Sequence, residues 1–356
     1  MQADTATGGT GSGGVGAGGG SGGVAGGMRP APNAGAGGGV ADAGQQAGSG
    51  GSGGAGIAGT GAGSGGGSSA TPDAGASDAG LEPSAAGRDP DPAFLVPPSG
   101  PCPEFVAGYV TFVADGVERR VLLYIGEEAE TLDGPLILSW HSTLPSPEDA
   151  TVWLGDDVID EITAQGGLVA APTTADRSAR RPWDNTALGP RNTDNDQLLM
   201  DEIVACARQE VGIDVRHIHA TGMSAGGLKT AQVSLRRSGY LASVVVYSGG
   251  LYEGDEPPDQ DPSNHFAAMV LYGGASDFSP VDFSSYTDNT ARYVTLLRAT
   301  GRFAFVCNHG GGHSVPSDSQ ASAWRFMQDH PFGAAPEPYA GGLPDGFPEY
   351  CSLDNP

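Results

Sequence analysis

The chain has 356 residues, 60 of them glycine and 27 proline, and its 42 acidic residues against 17 basic ones give a net charge of −25. So acidic a chain repels phosphate backbones, which argues against nucleic acid as a partner and disfavours polyanionic substrates. No apolar run is long enough to span a membrane, and no basic-then-apolar leader follows Met1.

Composition divides the chain in two. Residues 1–92 hold more than half of the glycines, no aromatic residue and few charges. Before residue 91 two arginines face six acids, a net of −4 that leaves −21 for the remainder. Such a segment buries too little apolar surface to offset the entropy of ordering it, and without a strict G-X-Y period it is not collagen. It is expected to be a disordered Gly/Ala/Ser-rich linker. Residues 93–356 are ample for one large α/β domain. The linker resembles the spacers of secreted or surface-anchored bacterial proteins. The favoured expectation is therefore a secreted, cell-surface or periplasmic protein whose signal was removed before this numbering, with the linker as a candidate surface tether.

Four cysteines, Cys102, Cys206, Cys307 and Cys351, allow three pairings. A Cys102–Cys351 bond would staple the ends of the folded part, as suits an exported protein. Cys206, among Ile203, Val204 and Ala207 on a predicted helix, reads equally well as a buried thiol.

In chain order, residues 109–125 alternate apolar and polar around Ala114-Asp115-Gly116 and predict a hairpin. Residues 135–140 (PLILSW) form a continuous apolar run, as expected of a strand buried on both faces. A helix carrying Val158, Ile159 and Ile162 stops at Gly166-Gly167, and residues 168–171 give the next strand. A long loop then carries Arg180-Arg181-Pro182-Trp183-Asp184. Asp194, with Gln197 three residues on, suggests a capping box for a helix running to about Val211. Residues 215–220 form a strand, followed by a helix to about Gly239. Residues 241–247 and 266–272 are two more buried strands, separated by the acidic loop 253–261. A helix over 285–300, a strand over 303–307 and a helix over 318–329 complete the pattern. Strands alternating with helices imply a mostly parallel central sheet with helices on both faces.

Gly222-Met223-Ser224-Ala225-Gly226 falls where the fifth predicted strand meets a helix. A G-x-S-x-G in that context is a nucleophile elbow, which holds the serine in a strained turn and projects its hydroxyl above the sheet. A serine hydroxyl needs a base, and the base needs an orienting acid, in the chain order Ser, acid, His. Asp277 follows the strand 266–272, with Asp282 as its competitor. His313 follows the strand 303–307 and the glycines 310–312, with His309 as its competitor. Ser224, Asp277 and His313 form a consistent triad. The oxyanion hole is expected from the N–H of Ala225 and that of Thr143, with Ser142 close behind. His141 reads as structural. Ser142 and Trp183 are further substrate-contact candidates, although Trp183 either lines the cleft or merely pins its loop. His217 and His219 share a face of the nucleophile strand, and with no cysteine or carboxylate set to complete a zinc site they read as buried or helix-covered rather than as metal ligands.

Together, PLILSWHS, the Trp183-Asp184 loop, TGMSAGG over 221–227, Ala275-Ser276-Asp277 and GGGH over 310–313 resemble the polyhydroxybutyrate depolymerase and feruloyl-esterase group of α/β-hydrolases, across about residues 105–330. That resemblance implies an α/β-hydrolase fold, extracellular ester hydrolysis without a cofactor, and the same triad. The chain departs from the group in having His141-Ser142 where His-Gly is usual, and in lacking Gly-Thr before its aspartate. An ester substrate, polymeric in a polyester or plant-cell-wall ester, is the expectation. A serine peptidase of the same fold and a non-catalytic surface-displayed binding module are the alternatives.

Overall fold

The computed structural model describes residue 92 and residues 95–143, 146–174, 182–183, 194–253 and 264–354, all within the unit Ala79–Pro356. The linker expected over 1–92 lies outside the described residues apart from Pro92. So do Asp184 and most of the acidic loop 253–261.

The elements follow the predicted alternation. β1 (Gly108–Ala114) and β2 (Val117–Ile125) form the hairpin, in which Asp115 and Gly116 take positive φ. β3 (Leu136–Trp140) leads to a short helix α1 (Ala150–Trp153) and then α2 (Asp156–Ala164). β4 (Leu168–Pro172), α3 (Asn195–Glu210), β5 (Ile218–Met223) and α4 (Ala225–Arg236) follow. β6 (Ser243–Tyr247), β7 (Ala267–Tyr272), α5 (Tyr286–Ala299), β8 (Ala304–Asn308), α6 (Gln320–Asp329) and a final short β9 (Cys351–Ser352) complete the order.

Among the described residues nine strands form one sheet in the order β1-β2-β4-β3-β5-β6-β7-β8-β9. The six strands from β4 to β8 run parallel, and antiparallel pairs close the two sides: β1 and β2 at one, β9 at the other. The parallel strands are buried along almost their whole length because helices cover both faces. Their side chains therefore split by parity. Leu136, Leu138, Trp140, Val244 and Val246 face one core with α3, α4 and α5. Ile137, Val245 and Tyr247 face a second core with α1, α2 and α6.

Two sequence expectations need correction. The capping box at α3 is absent: Asp194 has φ −90° and ψ 20°, away from the extended conformation that aims a cap side chain at the first turn, and makes no cap hydrogen bond. Its carboxylate stands 3.5 Å from Arg236, and Gln197 is buried with its amide on Gln232. By contrast Ser285, with an extended backbone, caps α5 by accepting from the Asp288 N–H.

The cysteines pair as Cys102–Cys206 and Cys307–Cys351, not as Cys102–Cys351. Sheet order gives the reason. Cys102 leads into β1 and Cys351 lies on β9, the two opposite edges. Nine strands at about 4.8 Å spacing separate those edges by roughly 38 Å, far beyond the roughly 6 Å that a disulfide spans between Cα atoms. Cys102 instead ties the entry segment to α3, and Cys351 pins β9 to the strand it pairs with.

Peptide mapping without reductant is expected to recover these two pairs and no Cys102–Cys351 peptide. The Cys102–Cys206 bond closes a separation of 104 residues and Cys307–Cys351 one of 44. In the chain-entropy picture, removing the first as a double serine variant costs more, about 4–5 kcal/mol against about 4. Urea unfolding of the two double variants measures that order.

Candidate active site

The turn from β5 to α4 is built by close approach. Ser224 sits between them at φ 58° and ψ −119°, a region that a residue bearing a side chain rarely occupies. Its N–H donates to the Tyr247 carbonyl at 2.9 Å and its carbonyl accepts from the Leu228 N–H at 2.9 Å, which locks the strained residue between β6 and α4. A Cβ on Gly226 would overlap the Trp140 and His141 carbonyls, and one on Gly222 would fall 2.6 Å from the Trp140 oxygen. Only glycine permits this contact between α4 and the end of β3.

The structure brings Ser224, Asp277 and His313 together. His313 Nε2 is 3.0 Å from Ser224 Oγ, and His313 Nδ1 is 2.8 Å from Asp277 Oδ1. Asp277 follows β7 at the end of a short 3₁₀ turn, Gly274–Ser276, and is fully buried. Its second oxygen accepts from Ser248 Oγ at 2.7 Å and from the Gly273 N–H at 2.9 Å. The histidine loop is tied to the acid loop by the Gly312 N–H, which donates to the Gly273 carbonyl at 3.0 Å.

The competitors sit elsewhere. Asp282 turns into its own loop, where it accepts from the Ser284 N–H and hydroxyl. Partial burial pushes its carboxyl up, but hydrogen bonds from Ser279, Ser284 and Tyr252 outweigh this and hold it below the usual carboxylate range. His309 accepts from the Gly311 N–H and packs edge-on against Tyr350. Desolvation pushes its imidazole below the usual value.

His141 Nδ1 lies 2.8 Å from the Ser142 carbonyl, and burial lowers its imidazole as well. Trp183 is only 3% exposed. Its indole N–H donates to the His141 carbonyl at 2.8 Å, and its ring meets Trp140 edge-on at 4.9 Å. These contacts are those of a residue that pins its loop. Ser142 and Thr143 are half-buried just beyond β3, which Gly226 places against the elbow. His219 is buried with Nδ1 2.9 Å from Ser243 Oγ, and desolvation holds it well below the usual value. His217 has a carboxylate that the sequence reading overlooked: Asp214 Oδ2, 2.6 Å from Nδ1.

Two contacts of the site escaped sequence reasoning. One is Ser248, immediately after β6 at the strand end where such sites assemble, a position that could have flagged it. The other is Tyr286, whose hydroxyl is 3.0 Å from Ser224 Oγ and which belongs to no motif.

No family model matches the chain, and no curated protein matches it. Among solved structures, native pOPH is similar with a TM-score of 0.58 at 19% identity, over 73% of this chain and 96% of that one. Native sOPH gives 0.57 at 18% identity, over 72% and 96%. A serine-to-alanine variant of pOPH in complex with pNPB gives 0.56 at 20% identity, over 72% and 95%. With the sheet order and the elbow, these likenesses establish the α/β-hydrolase fold.

Gly226→Ala tests the close approach. The added methyl has to displace the end of β3, and a loss of about 3 kcal/mol or more in thermal unfolding is expected. Ala231→Gly, later in the same helix, is expected to cost only about 1 kcal/mol in propensity, plus the loss of one buried methyl.

Proposed function

We propose that this chain is a serine hydrolase of carboxylic esters, working through an acyl-enzyme on Ser224. The observation that carries this reading is the hydrogen-bond chain from Ser224 Oγ through both nitrogens of His313 to a buried Asp277. His313 takes the hydroxyl proton as Oγ attacks the ester carbonyl, and later gives it to the departing alcohol. Asp277, held by Ser248 and Gly273, keeps the imidazole in the tautomer whose Nε2 accepts. The Ala225 and Thr143 N–H groups are the oxyanion donors in this reading, one directly after Ser224 and the other on the loop just beyond β3. Water then hydrolyses the acyl-enzyme by the same route. No step calls for a metal or organic cofactor.

The substrate class is carried by the motif resemblance: a polyester or plant-cell-wall ester, outside the cytoplasm. Two disulfides support that location, because such bonds persist chiefly in oxidising compartments. Among the described residues no helix is long and apolar enough to cross a membrane. Residues 1–92 would then serve as the spacer or surface tether.

Hydrolysis of a short-chain p-nitrophenyl ester tests the reading. Ser224→Ala is expected to lose roughly 10³-fold or more in kcat, retaining what binding and the oxyanion hole supply. Asp277→Asn is expected to fold normally and lose about 10³- to 10⁴-fold. Asp282→Asn is expected to stay within about threefold of wild type, since its carboxylate bonds to Ser284 and Tyr252 and not to Ser224 or His313. A collapse of the Asp282 variant beside an active Asp277 variant would reassign the acid.

A further inference from the structure

Tyr286, the first residue of α5, touches all three members of the candidate triad. Its backbone N–H donates to the Asp277 carbonyl at 3.0 Å. Its ring stacks on the His313 imidazole, with centroids 4.9 Å apart and planes 8° from parallel. Its hydroxyl is 3.0 Å from Ser224 Oγ, and the side chain is buried.

The partners fix the direction of that last hydrogen bond. Asp277 Oδ1 is a carboxylate oxygen and accepts, so the hydrogen lies on His313 Nδ1 and Nε2 presents a lone pair. Ser224 has a single hydroxyl hydrogen, which goes to Nε2. The Tyr286 hydroxyl is then the donor to Ser224 Oγ.

We propose that Tyr286 is a catalytic hydrogen-bond donor to Ser224 Oγ, stabilising the partial negative charge on this oxygen as its proton moves to His313 before the bond to carbon is complete, and again as that bond breaks in deacylation. The proposal rests on the serine-hydrolase reading above. In acylation the Oγ–H bond breaks, the proton moves to Nε2, and an Oγ electron pair forms the bond to the ester carbon as the carbonyl π pair moves to its oxygen. Collapse of that intermediate expels the alcohol, which takes the proton from His313. In deacylation water gives its proton to His313 and attacks. Oγ then leaves with the bonding pair and recovers a proton from Nε2. Tyr286 donates whenever Oγ carries charge and keeps its own proton throughout. Burial pushes its phenol up, which preserves it as a donor across the neutral range.

The surroundings hold the hydroxyl in place. Ser285 caps α5, Phe278 and Ser285 form a β-bridge across the loop, and Thr287 Oγ1 donates to the Gly274 carbonyl at 2.8 Å. These contacts fasten the first turn of α5 to the acid loop, the kind of support that a preorganised donor needs.

Tyr286→Phe keeps the ring and removes only the O–H. It is expected to lower kcat on a short-chain p-nitrophenyl ester by about 10- to 100-fold, with KM changed by less than about threefold, the signature of a charge-assisted hydrogen bond made in the transition state. The rate at which a fluorophosphonate labels Ser224 is expected to fall in parallel. Tyr286→Leu, which also removes the stacking ring, separates donation from packing. If the Phe variant matches wild type and only the Leu variant is impaired, Tyr286 merely packs on His313 and the proposal fails. Site-specific 3-fluorotyrosine at 286 gives a readout independent of any folding defect in the Phe variant: it changes donor acidity at nearly constant shape, so an unaltered labelling rate also overturns the proposal. A wild type that is not labelled at Ser224 would sink the serine-hydrolase reading and this proposal with it. A labelled wild type beside an equally fast Phe variant sinks only this one.

Discussion

Everything at the candidate site depends on how closely the backbone of α4 approaches the end of β3. Gly226 lies against the Trp140 and His141 carbonyls with no room for a methyl group. That contact holds the turn at Ser224 against the end of β3. The loop carrying His141, Ser142 and Thr143 begins at this contact. The strain at Ser224 persists because hydrogen bonds to Tyr247 and Leu228 grip it from both sides. Strain of roughly 1–3 kcal/mol at one residue is small beside the packing that enforces it.

Behind the elbow the same helix is anchored by charge. Lys229 is the chain's single lysine and is fully buried one turn beyond Ser224. Its ammonium is 3.1 Å from Asp196 Oδ2, while Arg119 on β2 reaches Asp196 Oδ1 at 3.0 Å and Asn195 Oδ1 at 2.7 Å. Asp196 thus joins β2, α3 and α4 through one carboxylate. Buried ion pairs of this kind add little net stability against an apolar replacement, but removing one partner costs about 3–5 kcal/mol because the other charge is left unpaired. Their effect here is on geometry: α4 can neither rotate nor slide without exposing a charge to the core, so the orientation of its first turn is fixed from its far side.

What the sequence made legible was what local pattern encodes. Continuous apolar runs marked β3, β4, β6 and β7, because strands buried on both faces have no polar side to alternate with. The glycines at 222 and 226 marked the elbow, nearness to the strand end put Asp277 forward over Asp282, and the glycine run put His313 forward over His309. What failed depended on tertiary distance. The disulfide pairing could not be read from chain ends, since β1 and β9 lie at opposite edges of the sheet. The cap at Asp194 failed because that carboxylate turns toward Arg236, a partner 42 residues away. The sequence likewise held no sign that Trp183 packs against Trp140 and His141. Tyr286 had no signature at all: a tyrosine at the start of a helix acquires meaning only when the acid loop folds its hydroxyl onto a serine 62 residues earlier.

Geometry also explains why the histidine needs a glycine run. β5 and β8 are three strands apart, so their ends are separated by about 14 Å at ordinary strand spacing. An imidazole leaving directly from β8 would fall short of Ser224. The segment from His309 to Gly312 therefore turns back across the end of β7, with positive φ at Gly310 and Gly312, and is clamped to Gly273 as it passes. Asp277 follows β7 on a short 3₁₀ turn, and its carboxylate meets Nδ1 while Nε2 faces Ser224. Ser248, just after the intervening β6, shares the second oxygen of that carboxylate with the Gly273 N–H. Each strand from β5 to β8 thus contributes one group beyond its carboxyl end, and the hydrogen bonds run from Ser224 after β5 across to His313 after β8 and back through Asp277 to Ser248.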